Sequence, residues 1–454
     1  NSRVAKGRLG CVGSAAHPGE DPVGVMKARE GDTESRPLTL GLDRVDFGFF
    51  ATKNAAVVLL CIIWFTDSYL NHVIEPLVPL VKKQQNLSTF SVSLVEGGFA
   101  FGFLLGAIIA GAIIFRVGEK TAMMGCFFAL LGATVCVLCS PSHIVLLIIA
   151  RLVHGIASAV NNVAANELLA TVFLRQDDAP GFTRAMGITS AASALGVVVA
   201  PAACLLISHQ HFSIRLPYWA GLILVLIFGL GRLLLRAPGE GDFLHRVKPS
   251  IWNDVKAILS RRHCVVLVCC QMIIYTIVWG WAATVPLWFS HEYKTDMYTD
   301  GLAVSSMFTA ACLAAILGGL TMSSIKFVTP RRMLIFGLLA MLPAQFLMIR
   351  GSLHHESYET IGLILGGVSF GCAMPAIKTL LAESVEASLY TAAFSVFFLG
   401  QGVAMLLASY VCTLVAAHFG FAMLQAILGV VLLLFSPFIT LVMDVEVGPD
   451  DSEL

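Results

Sequence analysis

Apolar runs of about 20 residues, long enough to cross a bilayer as helices, recur along nearly the whole chain with short polar breaks between them. They lie near residues 55–81, 92–115, 121–139, 144–171, 186–208, 216–235, 264–290, 300–325, 332–349, 359–382, 389–417 and 420–442. The pattern predicts an all-α integral membrane protein with twelve transmembrane helices. Three stretches fall outside it. Residues 1–50 are rich in Gly, Pro, Glu, Asp and Arg, have no apolar run and predict a disordered cytoplasmic tail; the sequence begins at Asn1, and Met26 is a candidate initiator. Residues 443–454 predict an acidic cytoplasmic tail. Residues 237–263 place Ile251, Val255, Ile258 and Leu259 at helical spacing beside Lys256, Arg261 and Arg262, which predicts a linker with an amphipathic helix on the cytoplasmic membrane surface. The linker separates an N-terminal six-helix half, residues 51–236, from a C-terminal six-helix half, residues 264–442.

The first span breaks the apolar pattern most. Between Val57 and Val81 it carries two carboxylates, a histidine and two prolines. A carboxylate at mid-membrane costs about 2.5–3.5 kcal/mol, so Asp67 and Glu75 require a polar surface to face. At helical pitch Asp67, Ser68, Asn71, His72 and Glu75 share an arc of about 140°, and Leu70, Val73, Ile74 and Leu77 take the opposite one. The polar side lines water or a substrate, or else its acids are salt-bridged to neighbouring helices.

The fourth span repeats this asymmetry: Arg151, His154, Gly155, Ser158, Asn161 and Asn162 gather on one face. A buried Arg requires a partner, and Asp67, Glu75 and Glu96 are the candidate carboxylates. In the second span Gly98, Gly102 and Gly106 recur at every fourth position beside Gly97 and Gly111, a spacing that serves a sliding gate helix and tight static packing equally.

The seventh span places Gln271, Tyr275 and Trp279 on one face, an aromatic wall able to hold a cation; Trp281 and Trp288 also fit core packing or the interfacial belt. In the tenth, Lys378 follows Met374 and Pro375 and either enters a cavity or snorkels to the cytoplasmic surface. Gln401, between Gly400 and Gly402 in the eleventh, reads as packing first and polar contact second.

Composition agrees with the spans and excludes other classes. Hydrophobic residues make up 57% of the chain, charged ones only 13%, and mean hydropathy is +0.82. The 29 basic and 29 acidic residues cancel, which leaves no electrostatic footprint for nucleic acid. Lys and Arg favour one set of loops by about three to one, placing both termini in the cytosol. Nearly all of the 12 cysteines sit in apolar spans, where Cys acts as a small hydrophobe, and the Cys136/Cys139 pair has no nearby charge to activate it. The outward loop after the first span contains the sequon Asn86-Leu87-Ser88, too close to the helix ends to expect an oligosaccharide. No nucleophile-and-base pair or metal-ligand cluster stands outside the spans, so neither an enzyme nor a cofactor is expected.

Twelve spans divided by a polar linker resemble the major facilitator superfamily. Gly111-Ala-Ile-Ile-Phe-Arg116-Val-Gly118-Glu-Lys120 resembles its gate motif after the second helix, with Phe115 in place of the usual Asp. Arg151 to Gly155 resembles the fourth-helix motif linked in that family to proton coupling. Residues 185–201, which include Gly196 and end at Pro201, are similar to the fifth-helix motif of the proton-driven antiporters, with Ala200 where Gly is usual. Within the superfamily the nearest likeness is to vesicular amine transporters: Asp67 followed by Pro76 and Pro79, the stretch Ala150 to Gly155, Arg184 to Gly187, and Val285-Pro-Leu-Trp288. The chain departs from them at Ala282 and near Phe398, where they carry acids, and near Phe99, where they carry a Lys.

The resemblance implies a monomeric secondary transporter that moves a small-molecule substrate by alternating access in the plasma membrane or a vesicle membrane. Its cavity would be lined by the first, fourth, seventh and tenth helices, with Gly111, Arg116, Gly118, Gly196 and Pro201 at the gates. The favoured expectation is exchange of protons for a small organic cation or amine, with Asp67 alternately protonated or paired with substrate and Arg151 controlling proton release. Asn71, His72, Glu75, His154, Asn162, Tyr275, Trp279 and Lys378 complete the expected site. Arg151 and Lys378 balance Asp67 and Glu75, however, so an anion or zwitterion is the alternative substrate. A non-transporting membrane receptor on the same fold is a third reading, supported only by the missing gate Asp.

Overall fold

In hydrocarbon every backbone N–H and C=O must be satisfied within its own segment, and for runs of this length the helix is the solution. The computed structural model describes residues 50–74, 89–139, 143–208, 215–236, 251–294, 297–353 and 356–444. The N-terminal half holds α1 (Lys53–His72), α2 (Thr89–Cys139), α3 (Ile144–Leu174), α4 (Ala179–Ser208) and α5 (Arg215–Leu234). After α6 (Ile251–Ser260), the C-terminal half holds α7 (Arg262–Glu292), α8 (Met297–Ser324), α9 (Pro330–Gly351), α10 (Glu356–Glu383), α11 (Tyr390–Leu406), α12 (Thr413–Phe419) and α13 (Phe421–Asp444).

Ten of these segments are long and apolar enough to cross a membrane. The 51-residue α2 is two spans joined at Gly118, whose φ of 77° and ψ of 161° break the helix, and α13 is the remaining crossing, so the described residues give the twelve predicted spans. Gly118 has open space where a side chain would sit, so the requirement for glycine there is conformational and not steric. Arg116 is exposed two residues before this break, and Gly111 is buried. The eleventh span passes through a π-helical turn, Leu407–Cys412, between α11 and α12.

Three boundaries differ from the sequence pattern. The first span was expected to run to residue 81, but α1 ends at His72, and residues 73 and 74 already leave the helix. Glu75, Pro76, Pro79 and Asn86 lie outside the described residues, as do both tails, and nothing is described of the Glu96 side chain. The fifth span, α4, begins at Ala179, not 186, because Asp178 caps it: its Oδ1 accepts from the Gly181 N–H at 2.9 Å. The expected amphipathic helix of the linker is present as α6, with Ile258 fully buried and Trp252 exposed.

Hairpin alternation puts the start of α1 and the turns at 175–178, 325–329 and 384–389 on one face, here the entry face, and the end of α1 on the far face. At the entry face Phe50–Ala51 pairs in parallel with Leu235–Arg236, tying the approach to α1 to the exit of α5.

The glycine row of the second span has a definite job. A Cβ at Gly102 or Gly106 would overlap the Leu152 or Ile156 carbonyl of α3, and one at Gly155 would overlap the Phe99 carbonyl. These residues lock α2 to α3 inside one half, which is static packing. The small residues that meet across the halves are others. Gly187 of α4 lies with its Cβ position 2.6 Å from the Ala315 carbonyl and 2.7 Å from Gly319 of α8. Gly402 of α11 approaches the Leu104 Cα to 3.0 Å in the same sense. Gly196, expected at a gate, packs against the Phe65 carbonyl and Ser68 of α1 within its own half, and Pro201 continues α4 as an internal proline.

Candidate functional site

The polar faces of α1 and α3 meet, and Asp67 is engaged there by Ser158, Asn162 and His154. Asp67 Oδ2 accepts from Ser158 Oγ at 2.5 Å and Asn162 Nδ2 at 3.4 Å. Its Oδ1 stands 3.4 Å from His154 Nε2, at ion-pair distance but off the line of a hydrogen bond. Asn162 is itself 3.4 Å from Ser158, and Asn166 Nδ2 donates 2.7 Å to the Asn162 carbonyl, so the row along α3 is fixed in one orientation.

Arg151 reaches the end of α1; it does not pair with Asp67, and its other candidate partners, Glu75 and the Glu96 side chain, lie outside what is described. Its guanidinium donates to the Asn71 carbonyl at 2.9 Å, the Leu70 carbonyl at 3.4 Å and Asn71 Oδ1 at 3.0 Å. The last carbonyls of a helix lack intrahelical donors and carry its negative dipole end, which suits a cation held by several bonds. Phe99 fills the space beside it, 4.9 Å from the guanidinium carbon and 4.9 Å edge-on from the His154 ring. The aromatic where amine transporters carry a Lys thus wedges between the two basic groups of α3.

One turn beyond Asp67, His72 crosses to the other half. Its ring stacks on Trp279 at 4.6 Å with planes 2° apart, and its Nε2 lies 3.2 Å from Asn71 Nδ2. Trp279 continues into Phe308 at 5.2 Å, and Tyr275 meets Phe370 edge-on at 5.2 Å. The aromatic face expected on the seventh span is therefore real, and a histidine already occupies part of it. Trp281, by contrast, is fully buried and donates to Gln425 Oε1 at 2.9 Å, a core residue.

Lys378 resolves in favour of the interior. Its side chain is buried, with Nζ 4.0 Å over the Trp64 ring and 5.9 Å from Phe398. Among the described residues it has no hydrogen bond and no carboxylate partner.

These groups surround a cavity of about 70 Å³ between the halves. A water requires roughly 10–15 Å³ of such space, so in this conformation the cavity holds only a few, and a larger ligand requires the halves to part. Asp67, Asn71, His72, Asn162, Tyr275, Trp279 and Lys378 line it, whereas Arg151 and His154 stand one layer behind, against Asn71 and Asp67. The lining draws on eight spans, more than the four expected. The additions are Phe99 and Phe103 of α2, Ser190 and Ser193 of α4, Phe308 of α8, and Phe398, Gln401 and Met405 of α11. Ser193 bridges to Ser68 at 2.7 Å. Serines three residues apart in an otherwise apolar helix, and Trp64 one turn before Asp67, were the overlooked signals. Gln401 faces the cavity and was read as packing.

At the entry face, Lys53 Nζ lies 2.6 Å from Asp178 Oδ2 and 5.1 Å over the Phe173 ring. The Lys53 bond holds the Asp178 carboxyl below its ordinary value, and the Gly181 N–H adds to this. Arg184 reaches across the halves to Ser323 Oγ at 3.4 Å.

This architecture matches known transporters. The human organic anion transporter MFSD10 (TETRAN) superposes with a TM-score of 0.70 at 13% identity, covering 86% of this chain and 99% of that one. The proton:xylose symporter XylE, bound to 6-bromo-6-deoxy-D-glucose, gives 0.67 at 14% identity over 84% and 94% of the two chains. The E. coli fucose:proton symporter FucP gives 0.65 at 15% identity over 84% and 98%. In sequence, the bacillibactin exporter of Bacillus subtilis (strain 168) is 22% identical over 330 residues, 70% of this chain and 78% of that protein. The family model of the Major Facilitator Superfamily matches residues 57–282 and again 267–453, and the chain belongs to that superfamily of membrane transporters.

Proposed function

We propose that this transporter moves a small organic anion by alternating access, coupled to a proton held at Asp67 and His154. The observation that carries the proposal is the asymmetry of charge in the cavity. Asp67 is engaged by Ser158, Asn162 and His154, whereas Lys378 faces the same space with aromatic rings as its only described company. A buried unpaired ammonium is costly, and a substrate carboxylate or phenolate would relieve that cost. An organic cation would have to enter beside Lys378 and compete with its neighbours for Asp67. The sequence favoured a cation and kept the anion as the alternative, and Lys378, free among the described residues, supports the anion. The human neighbour is named an organic anion transporter and the Bacillus relative an exporter, which agrees with cargo of this kind without naming it.

Substrate charge also sets the sense of coupling. A cation and a proton compete for Asp67, which gives exchange; an anion on Lys378 and a proton on Asp67 fill the cavity together, which gives co-transport. The basic loops support a cytosolic entry face, and the turn at Gly118 with Arg116 before it supports a gate there. The residue boundaries at 50, 236, 263 and 442 serve as working limits of the halves, linker and tails.

Uptake by the purified full chain in proteoliposomes, with a pH gradient imposed in either direction, tests this reading. Organic anion uptake stimulated by acid on the substrate side is the expected result. Amine uptake driven by acid on the opposite side would overturn it in favour of cation exchange.

A further inference from the structure

The cavity contains more unmet hydrogen-bond capacity than Lys378 alone, and its placement defines a narrower ligand. Among the described residues, Trp64 Nε1, buried at 3% exposure, and Trp279 Nε1 have no hydrogen-bond acceptor, and Ser190 Oγ has no partner. All three residues line the cavity, as does Gln401, whose Oε1 is also unmet. Two of these groups are indole donors attached to aromatic planes, and Trp64 is the ring that carries the Lys378 ammonium on its face. Cation and N–H donor therefore belong to neighbouring side chains of the lining. The lining also carries aromatic pairs: Tyr275 against Phe370, and Trp279 against Phe308. Ring edges and faces presented at these angles favour a further planar ring over a saturated one of equal size. Lys378 is the only Lys or Arg among the described lining residues, and His72, the other basic group there, is stacked on Trp279, so a second negative charge on the ligand would have no lysine or arginine to meet it.

Resting on the anion reading above, we propose that the cavity selects a planar aromatic anion of single charge, held by Lys378 and the Trp64 N–H at its charged end and by the Tyr275, Phe370, Trp279 and Phe308 rings at its flat end. Asp67 plays no part in this contact, since its oxygens are directed to Ser158, Asn162 and His154.

Calorimetric titration of the detergent-purified full chain with four probes tests the proposal. 2-Naphthoate is expected to bind, and its saturated counterpart, decahydro-2-naphthoate, to bind about three- to tenfold more weakly. Naphthalene-2,6-dicarboxylate, with its second charge at the far end, is expected to bind at least tenfold more weakly than 2-naphthoate. 2-Naphthylmethylammonium is expected not to bind. Equal affinity for the aromatic and saturated acids would overturn the aromatic selection while leaving the anion reading intact. Equal affinity for the mono- and dianion would overturn the single charge. Binding of the ammonium probe with no binding of the acids would overturn the anion reading itself. This series needs only the unmodified protein. Trp64→Phe keeps the ring under Lys378 and removes the N–H, and it is expected to weaken 2-naphthoate about three- to tenfold. Unchanged affinity in that variant would remove Trp64 from the charged end.

Discussion

The two halves of the cavity treat charge in opposite ways. On the N-terminal side, Asp67, His154, Ser158, Asn162, Asn71 and Arg151 form a network whose members answer one another, down to the carbonyls that end α1. On the C-terminal side one ammonium stands among rings. A paired network gives stability and a fixed place for a proton. An unpaired charge is a destabilising feature that becomes useful when a ligand completes it. The contrast predicts that substitutions on the two sides move stability in opposite directions.

Arg151→Met should have the largest effect. It leaves buried carbonyl acceptors at the end of α1 without their donor, at about 1–3 kcal/mol for each, and chemical denaturation should register a loss of several kcal/mol. Lys378→Met should sharpen the contrast, keeping or raising the thermal midpoint while substrate affinity falls tenfold or more, about 1.4 kcal/mol or above. A drop in midpoint comparable to that of Arg151→Met would mean that Lys378 is structural and would collapse the distinction between the halves.

A finer break separates packing within a half from packing between halves. Gly102→Ala should destabilise by about 1–3 kcal/mol, because its Cβ meets the α3 backbone and neither helix can yield alone. Gly187→Ala inserts the same methyl between α4 and α8, which can part as rigid bodies. It should cost little stability and favour opening at the entry face. Thiol labelling at Ser193→Cys, on a background lacking accessible native cysteines, should then be faster from that face. Equal destabilisation by the two alanines would show that the halves do not separate along α4 and α8.

The smallest effect belongs to the entry-face pair of Lys53 and Asp178, which is partly exposed. Asp178→Asn should cost no more than about 1 kcal/mol at neutral pH. The folded carboxyl titrates below its ordinary value of 3.8, so the contribution is present above that pH and fades as pH falls through the lower native value. Wild type and Asp178→Asn should therefore converge in thermal midpoint in acid. A gap that persists well below pH 3.8 would assign the effect to the cap on α4 instead of the charge.

Much of this was legible in the chain. Spans of bilayer length, a break between residues 115 and 121, the helix of the linker and the polar faces of α1 and α3 all follow from periodicity. The far end of α1 was not legible, because the apolar run continues through Val73 and Ile74 after the helix has stopped. The start of α4 was missed because an Asp cap lies outside any hydrophobic window.

The sequence by itself determined which side of each helix had to avoid lipid, since 100° per residue and the cost of charge in hydrocarbon are properties of a single segment. It could not determine which helix that side would meet. Arg151 and His154 share a face of α3, and only their heights against α1 gave Asp67 to His154 and the end of the helix to Arg151. Lys378 could have reached the surface by snorkelling. Its burial against Trp64, contributed by the other half of the chain, was decided by how the halves close. The glycine row had two uses open to it, and the position of α3 chose between them. Periodicity acts within one helix, whereas partner choice depends on the distance and rotation between helices, and those are fixed only when the bundle packs.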